Sequence, residues 1–371
     1  MSASRGLEGV IVAESSITSI IDDQLTYVGY SIDDLAEHAS FEEVVYLLWY
    51  KRLPTEIELK KFQAELLENM ELSDQIIEHL KLFDPSTANP MAVLRSTISL
   101  LGLYDPEVDD MSEEANFRKA IRLQAKIATV ITTLARLRQN KELIAPDPNL
   151  SYAGNFLRML KGPDVEALEV EAFNKALVLH ADHELNASTF TARVCVATLS
   201  DLYSGVTAAI GALKGPLHGG ANEQVVRMLM EIEEVDNAIP YVKNKIANKE
   251  KVMGMGHRVY RTGDPRAKHL KEMSRKLTEI TGQSKWYDMS VKIEEYMKKE
   301  KGLPANVDFY SASAYHCMGI DHDLFTPIFA MSRTSGWVAH MLEQYDNNRL
   351  IRPRAEFVGE VQQEYKPVEQ R

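Results

Sequence analysis

The sequence predicts an all-α protein with a few short N-terminal strands, and three observations predict it. Apolar residues recur three and four apart over long stretches, as in Val225, Met228, Leu229 and Ile232, which is the repeat of one buried helix face. Capping signals head several of these stretches: Ser40 with Glu43, Thr55 with Glu58, and Asn89 ahead of Pro90. Alternation of period two is weak and confined to residues 10–30, in Val10-Ile11-Val12, Ile17, Ile20-Ile21 and Leu25-Thr26-Tyr27-Val28, with Asp22-Asp23 as a turn. That predicts one or two short strands.

In order along the chain, Ser40 opens a helix carrying Val44, Leu47 and Leu48 that stops before Pro54. Thr55 opens a second, with Leu59, Phe62 and Leu66 on its buried face. Pro90 opens a third, with Met91, Leu94, Ile98 and Leu101. Residues 116–139 predict a longer helix whose Arg136 and Arg138 suit the negative end of its dipole. Pro146, Pro148 and Gly154 mark a loop, and residues 165–185 and 188–213 predict two more helices. Gly205 to Ala212 is rich in small residues, which permits close packing either within the chain or across a subunit boundary. Asp264 and Pro265 predict the N-cap and first residue of a helix with Leu270, Met273 and Leu277, stopped by Gly282. Thr326-Pro327 opens another, and about ten polar residues at the end read as a tail.

The 371 residues suggest two or three folding units, and 45% apolar with 26% charged residues is the composition of a globular protein with a large core. Lys+Arg 42 against Asp+Glu 54 gives a net charge of −12, which argues against nucleic acid or an anionic membrane surface as partner. An anionic substrate would therefore need arginines gathered locally. Cys195 and Cys317 both lie in apolar helical patterns and read as reduced core residues. The N-terminus lacks the apolar core of a signal peptide and no apolar run reaches about 18 residues, so a cytoplasmic location is expected.

Chemistry-bearing residues cluster. In Lys214-Gly215-Pro216-Leu217-His218-Gly219-Gly220-Ala221-Asn222-Glu223, a rigid turn delivers a histidine and two glycines to a helix start. The positive end of the dipole there disfavours imidazolium, leaving a neutral donor; a plain helix entry with a part-buried histidine suits the pattern equally. The glycines allow close backbone approach or a hinge. His180-Ala181-Asp182-His183-Glu184 places two histidines at zinc-ligand spacing, but its order matches no zinc-helix motif and lacks a third ligand. It reads instead as a polar helix end before the next cap at Asn186-Ala187-Ser188, with no metal expected. Gly254-Met255-Gly256-His257 lacks phosphate-loop spacing and reads as a loop whose backbone faces a ligand and which ends in a positioned histidine.

Arg266 opposes the dipole of its own helix, either pointing back to water or held by a bound anion. Asp308, in Val307-Asp308-Phe309-Tyr310, has two readings of opposite sign. Desolvation among apolar neighbours would raise its pKa, as a base working near neutral pH requires, whereas capping a helix that runs to Gly319 would lower it. Arg333, ringed by small residues in Phe329-Ala330-Met331-Ser332-Arg333-Thr334-Ser335-Gly336, has room to meet a carboxylate bidentately. Arg349-Leu350-Ile351-Arg352-Pro353-Arg354 is a basic cluster in an acidic protein.

Together these pieces resemble citrate synthase, nearly end to end, from Gly6-Leu7-Glu8-Gly9-Val10 to Arg352-Pro353-Arg354 and including Tyr27-Val28-Gly29-Tyr30 and Phe41-Glu42-Glu43. The most specific parts are Asp182-His183-Glu184, Gly215-Pro216-Leu217-His218-Gly219, Gly256-His257 leading to Asp264-Pro265-Arg266, Val307-Asp308 and Ser332-Arg333. The resemblance implies that Asp308 abstracts a methyl proton from acetyl-CoA while His218 hydrogen-bonds the thioester oxygen. His257 would polarise the ketone of oxaloacetate, and citryl-CoA is then hydrolysed. It implies that His183, His257, Arg266 and Arg333 bind oxaloacetate, with Arg352 reaching in from the partner of a homodimer. Val252, Met253, Gly254, Met255 and Gly256 would read the adenine of CoA through their backbone, with Arg261 near the phosphates. No permanently bound cofactor or metal is implied. The family is a mostly helical homodimer in which a small domain, here residues 220–320, closes on a large one, here 1–219 with 321–371, about a hinge at Gly219-Gly220.

Met255 stands where relatives usually carry an aromatic or smaller residue, and Asn89 where many have histidine. The chain begins almost at the first shared motif, so a dimer without the NADH regulation of the hexameric members is expected. The nearest rival is 2-methylcitrate synthase, which uses propionyl-CoA and the same residues. A hydrolase with His218-Gly219-Gly220 as oxyanion loop would need a G-x-S-x-G elbow and a strand-rich sheet, and the sequence has neither. A non-catalytic helical CoA-binding protein is the third reading.

Overall fold

The computed structural model describes residues 5–7, 9–84, 87–257, 259–260 and 262–371. Three short antiparallel strands, β1 (Thr18–Ile21), β2 (Gln24–Tyr27) and β3 (Tyr30–Ser31), form a sheet in sequence order. Asp22 and Asp23 make the β1–β2 turn with φ of 50° and 60°, both left-handed, the conformation that matches the twist of a tight hairpin.

Sixteen α-helices are found among the described residues. They are α1 (Ile32–His38), α2 (Phe41–Tyr50), α3 (Glu56–Glu68), α4 (Asp74–Lys81), α5 (Pro90–Leu103), α6 (Glu113–Arg138), α7 (Tyr152–Lys161) and α8 (Ala167–His180). The second half of the chain adds α9 (Ala187–Val196), α10 (Leu202–Leu213), α11 (Ala221–Ile232), α12 (Ala238–Ala247), α13 (Ala267–Ile280), α14 (Lys285–Lys301), α15 (Val307–Cys317) and α16 (Phe325–Asp346). The all-α prediction holds, and so do the caps at Ser40, Thr55 and Asn89. Ser40 and Thr55 form complete capping boxes, and Asn89 caps α5 through the Ala92 N–H with Pro90 as first helical residue.

Three predicted elements differ. The helix expected over 188–213 is two, because Asp201 takes the Ser204 N–H and starts α10 afresh, after Leu199 has turned left-handed at φ 66°. The helix expected over 165–185 ends at His180, so His180 and His183 do not share a face. Asp264 is not the cap of α13. That helix begins at Ala267, and the Asp264 carboxylate folds back onto the Arg266 guanidinium instead. The chain after α16 is extended and largely exposed from residue 348, and it carries Phe357, Val358 and Tyr365 as well as polar residues. Among the described residues no helix is long and apolar enough to cross a membrane.

The core is built around α16, which is buried almost continuously from Phe325 to Met341 and packs on α2, α6, α8, α9 and α10. Gly205 of α10 sits against Met341 and Val196, so its small side serves packing within the chain. A second cluster gathers α11, α13 and α14 around α15, and α13 also rests on α8. α16 also approaches the turn after α8 closely. There the Gly336 N–H donates to the Ala181 carbonyl at 3.1 Å, and a Cβ at Gly336 would overlap that carbonyl and the Asp182 carboxylate. Gly336→Ala is therefore expected to destabilise the fold by about 1–3 kcal/mol, the usual cost of overpacking; a melting temperature unchanged from wild type would contradict this contact.

Candidate active site

His218 lies in the turn between α10 and α11, where its own N–H and that of Gly219 both donate to the Gly215 carbonyl at 3.0 and 3.1 Å. The glycines have separate reasons. A Cβ at Gly219 would overlap the Leu213 carbonyl, and Gly220 has φ 83° as the N-cap of α11. The Ser188 N–H donates to His218 Nε2 at 3.2 Å, so Nε2 is an acceptor and the ring proton sits on Nδ1. The Ser188 hydroxyl, 2.8 Å from the same Nε2, also touches Asn186 Oδ1 and receives the Trp337 indole N–H. Burial, aided by the Arg333 charge, pushes the His218 pKa down to about 4. The neutral state expected from the sequence follows here from burial and the Arg333 charge.

His183, in the turn after α8, is buried and lies within 2.8 Å of the Tyr260 hydroxyl through its Nε2. His257, His183 and Tyr260 form a ring cluster with centroids 4.6–5.5 Å apart. The Val259 N–H donates to His257 Nδ1 at 3.1 Å, which leaves the proton on Nε2. Burial and the nearby Arg266 depress the pKa of both histidines, that of His183 strongly.

Two buried guanidinium groups border these rings. Arg266 forms a two-pronged pair with Asp264 at 2.9 and 2.8 Å; although burial opposes both charges, the pair keeps Asp264 below and Arg266 above their ordinary pKa values. Arg333 donates from Nε to the His180 carbonyl at 2.8 Å and lies over the Phe329 ring at 4.7 Å. Burial lowers its pKa to about 10. His180 itself is buried against Phe329, and burial takes its pKa to about 3.

Asp308 is the second residue of α15, not its cap. Asn306 caps that helix by accepting the Asp308 N–H, and it also donates to the Gly256 carbonyl. With capping excluded, desolvation decides: Asp308 is raised to about 6, with Arg266 and Arg333 holding it down and Asp264 pushing it up. The loop Val252-Met253-Gly254-Met255-Gly256 pairs antiparallel with residues 304–306 through the Gly256 N–H to Pro304 and the Asn306 N–H to Gly254. In that pairing the backbone of Met255 points outward, and its N–H and carbonyl take no hydrogen-bond partner among the described residues.

Residues 6–354 match the family described as citrate synthase, C-terminal domain. The chain is 63% identical over 371 residues to Citrate synthase 2 of Bacillus subtilis (strain 168), with 100% of both chains covered. The chain belongs to the citrate synthase family. It is also 40% identical over 376 residues to 2-methylcitrate synthase 1 of Corynebacterium glutamicum, covering 99% of this chain and 98% of that one. Among solved structures, the ternary complex of carboxymethyl coenzyme A and oxaloacetate with citrate synthase from Thermoplasma acidophilum matches with a TM-score of 0.93 at 34% identity over 99% of each chain.

Within this citrate synthase fold, His183, His218, His257, Arg266, Asp308 and Arg333 form one connected neighbourhood by contact or charge. Arg352 does not join it. It is exposed on the extended segment after α16. Arg261, expected near the CoA phosphates, lies outside the described residues. A cavity of about 440 Å³ lined by Glu42, Lys60, Gln63 and Asn155 lies elsewhere and shares no residue with the set. No group of three or more His, Cys, Asp or Glu side chains suited to a metal ion is found among the described residues. Sequence reading missed Ser188 as the partner of His218, Asp264 as the partner of Arg266, and Tyr260. Only Asp264, two residues from Arg266, had a local signal. In an NMR titration of labelled histidine, His218 is expected to titrate near pH 4 and to move toward its ordinary value in Arg333→Gln; a midpoint near 6.5 in the wild type would refute the environment described for it.

Proposed function

We propose that this chain condenses acetyl-CoA with oxaloacetate and hydrolyses the resulting citryl-CoA to citrate and CoA, as an acyltransferase of the citrate synthase type. One observation carries the chemistry: a carboxylate raised to about 6 and a neutral histidine whose Nδ1–H has no acceptor among the described residues stand in one arginine-rich site. A thioester methyl is a very weak acid, so a base alone is insufficient and the developing enolate needs a donor. Asp308 takes the proton and His218 Nδ1–H holds the thioester oxygen, without the charge penalty that a buried imidazolium would carry. The carbon then attacks the ketone of oxaloacetate, whose oxygen His257 Nε2–H polarises and protonates.

Oxaloacetate is a dianion. Arg266 retains an Nη group beyond its Asp264 pair, and Arg333 has only the His180 carbonyl as hydrogen-bond acceptor among the described residues, so both can receive carboxylates, with His183 assisting. The exposed Arg352 completes the site from the partner of a homodimer. The outward backbone of Met255 meets the adenine of CoA, flanked by Val252, Met253, Gly254 and Gly256, with Arg261 near the phosphates. Residues 220–320 close on the rest of the chain about Gly219-Gly220, which excludes water before proton abstraction. The reaction needs no permanently bound cofactor or metal, and it takes place in the cytoplasm.

A thiol-release assay with oxaloacetate tests this reading against the 2-methylcitrate synthase reaction that the 40% identical relative is named for. A higher kcat/KM for acetyl-CoA than for propionyl-CoA is expected, and the reverse order overturns it. Asp308→Asn should lower kcat by about 10²–10⁴-fold, the usual worth of a general base, while oxaloacetate still binds. Because Asp308 acts as the carboxylate, kcat/KM should be level above pH 6 and fall about tenfold per pH unit below it. His218 is already neutral above about pH 4, so it sets no limb in that range. An acid limb unchanged in Asp308→Asn would assign the titration to another group.

A further inference from the structure

Tyr260 belongs to none of the roles above, yet its hydroxyl meets the Nε2 ring nitrogen of His183. The contact is 2.8 Å, and both residues are buried, at 5% and 9% relative exposure. The His183 backbone is held separately: the Asp182 N–H donates to the Tyr27 hydroxyl at 3.2 Å, and that hydroxyl donates among the carbonyls of Val178, Leu179 and Asp182. Tyr27 thus fixes where the turn sits, and Tyr260 is left to fix how the ring is used. Its aromatic face packs on His257, with ring centroids 4.6 Å apart, so one side chain touches both histidines assigned to the second substrate.

The direction of the hydrogen bond follows from what else each group has. Burial raises the Tyr260 pKa, so the phenol keeps its proton, and among the described residues that hydroxyl has no acceptor other than His183. A buried hydroxyl donates where it can. His183 is neutral, because burial and the charges of Arg266 and Arg333 all disfavour its imidazolium. If Nε2 accepts, the single ring proton sits on Nδ1.

We propose that Tyr260 is a positioning residue that locks His183 in the Nδ1–H tautomer, so that His183 presents a donor rather than an acceptor to a carboxylate of the second substrate. The inference rests on the reading above that His183 contacts oxaloacetate. Without the phenol, the ring would be free to place a lone pair where the anion needs a proton, and affinity for the dianion would fall while the acyl-CoA side of the site is untouched.

Tyr260→Phe deletes only the hydroxyl and keeps the ring on His257. It is expected to raise the KM and the calorimetric Kd for oxaloacetate about tenfold, the effect of one buried hydrogen bond. KM for acetyl-CoA should stay within about twofold, which a general loosening of the site would not permit. Long-range ¹H–¹⁵N spectra of ring-labelled histidine report the tautomer directly. The wild type should show His183 as Nδ1–H and the variant a mixture, and an Nε2–H form in the wild type overturns the proposal even if Tyr260→Phe does not fold. His183→Ala separates the two levels of the argument. If it leaves oxaloacetate affinity unchanged, the reading of the site fails; if it weakens affinity while Tyr260→Phe does not, only the role of Tyr260 fails.

Discussion

Arg266 and Arg333 are both buried, and each guanidinium lies close enough to act on the titration of His180, His183, Asp308 and Tyr27. Burying two like charges is costly unless the surroundings compensate. Compensation here is uneven. Asp264 pairs with Arg266 through two hydrogen bonds, whereas Arg333 has one carbonyl, the Phe329 ring and the charge of Asp182. Asp182 is itself buried and held as a carboxylate chiefly by His340, against the effect of burial. Arg193 donates to His340 Nδ1, so His340 turns its Nε2–H toward Asp182, and Glu343 balances Arg193 in turn. A chain of paired groups thus runs from α9 through α16 to the turn that carries His183.

Desolvation sets the state of the nearby groups, and this residual positive field adds to it or opposes it. With desolvation it makes imidazolium unfavourable, so the histidines are neutral and can act only as polarised donors. It also acts on Asp308 in the opposite sense, since desolvation alone would raise that carboxylate further than the value near 6. In the proposed reaction a dianion settles between the guanidinium groups and cancels much of the field. Asp308 then loses the charges that held its pKa down and becomes a stronger base. The order in which oxaloacetate binds first and the methyl is deprotonated second follows from electrostatics, before any movement of the chain is considered.

How much of this was legible in the sequence depended on the range of the interaction. Helices with strong periodicity and their own caps, such as α2, α3 and α5, were readable because cap and helix lie within four residues of each other. The break at 197–201 was not, since the apolar pattern of α9 and α10 runs on while Asp201 interrupts the backbone. Asp308 had two readings with opposite signs, and Asn306, two residues earlier, resolves them by taking the cap. His218 reads as neutral from the nearby dipole, whereas burial, the Arg333 charge and the Ser188 contact, thirty positions away, could not be read from the local sequence. Periodicity carries no information about such contacts, because they are made after the helices have packed.

The hydrogen bonds divide the site into two tied groups. Gly256 and Gly254 are paired with Pro304 and Asn306, and Asp264 accepts the Val307 N–H while holding Arg266. His257, Arg266 and Asp308 are therefore carried together, near the start of α15. His183, His218 and Arg333 belong to the other group, bound to α8, α9 and α16 through Tyr27, Ser188 and the His180 carbonyl. In the proposed reaction the base and the ketone donor sit on one group and the thioester donor on the other, so neither group completes the condensation alone. Their separation need change by only about an ångström to move a proton transfer out of reach. In that proposal control resides in the contacts between the groups, among which the His183–Tyr260 hydrogen bond is direct and buried.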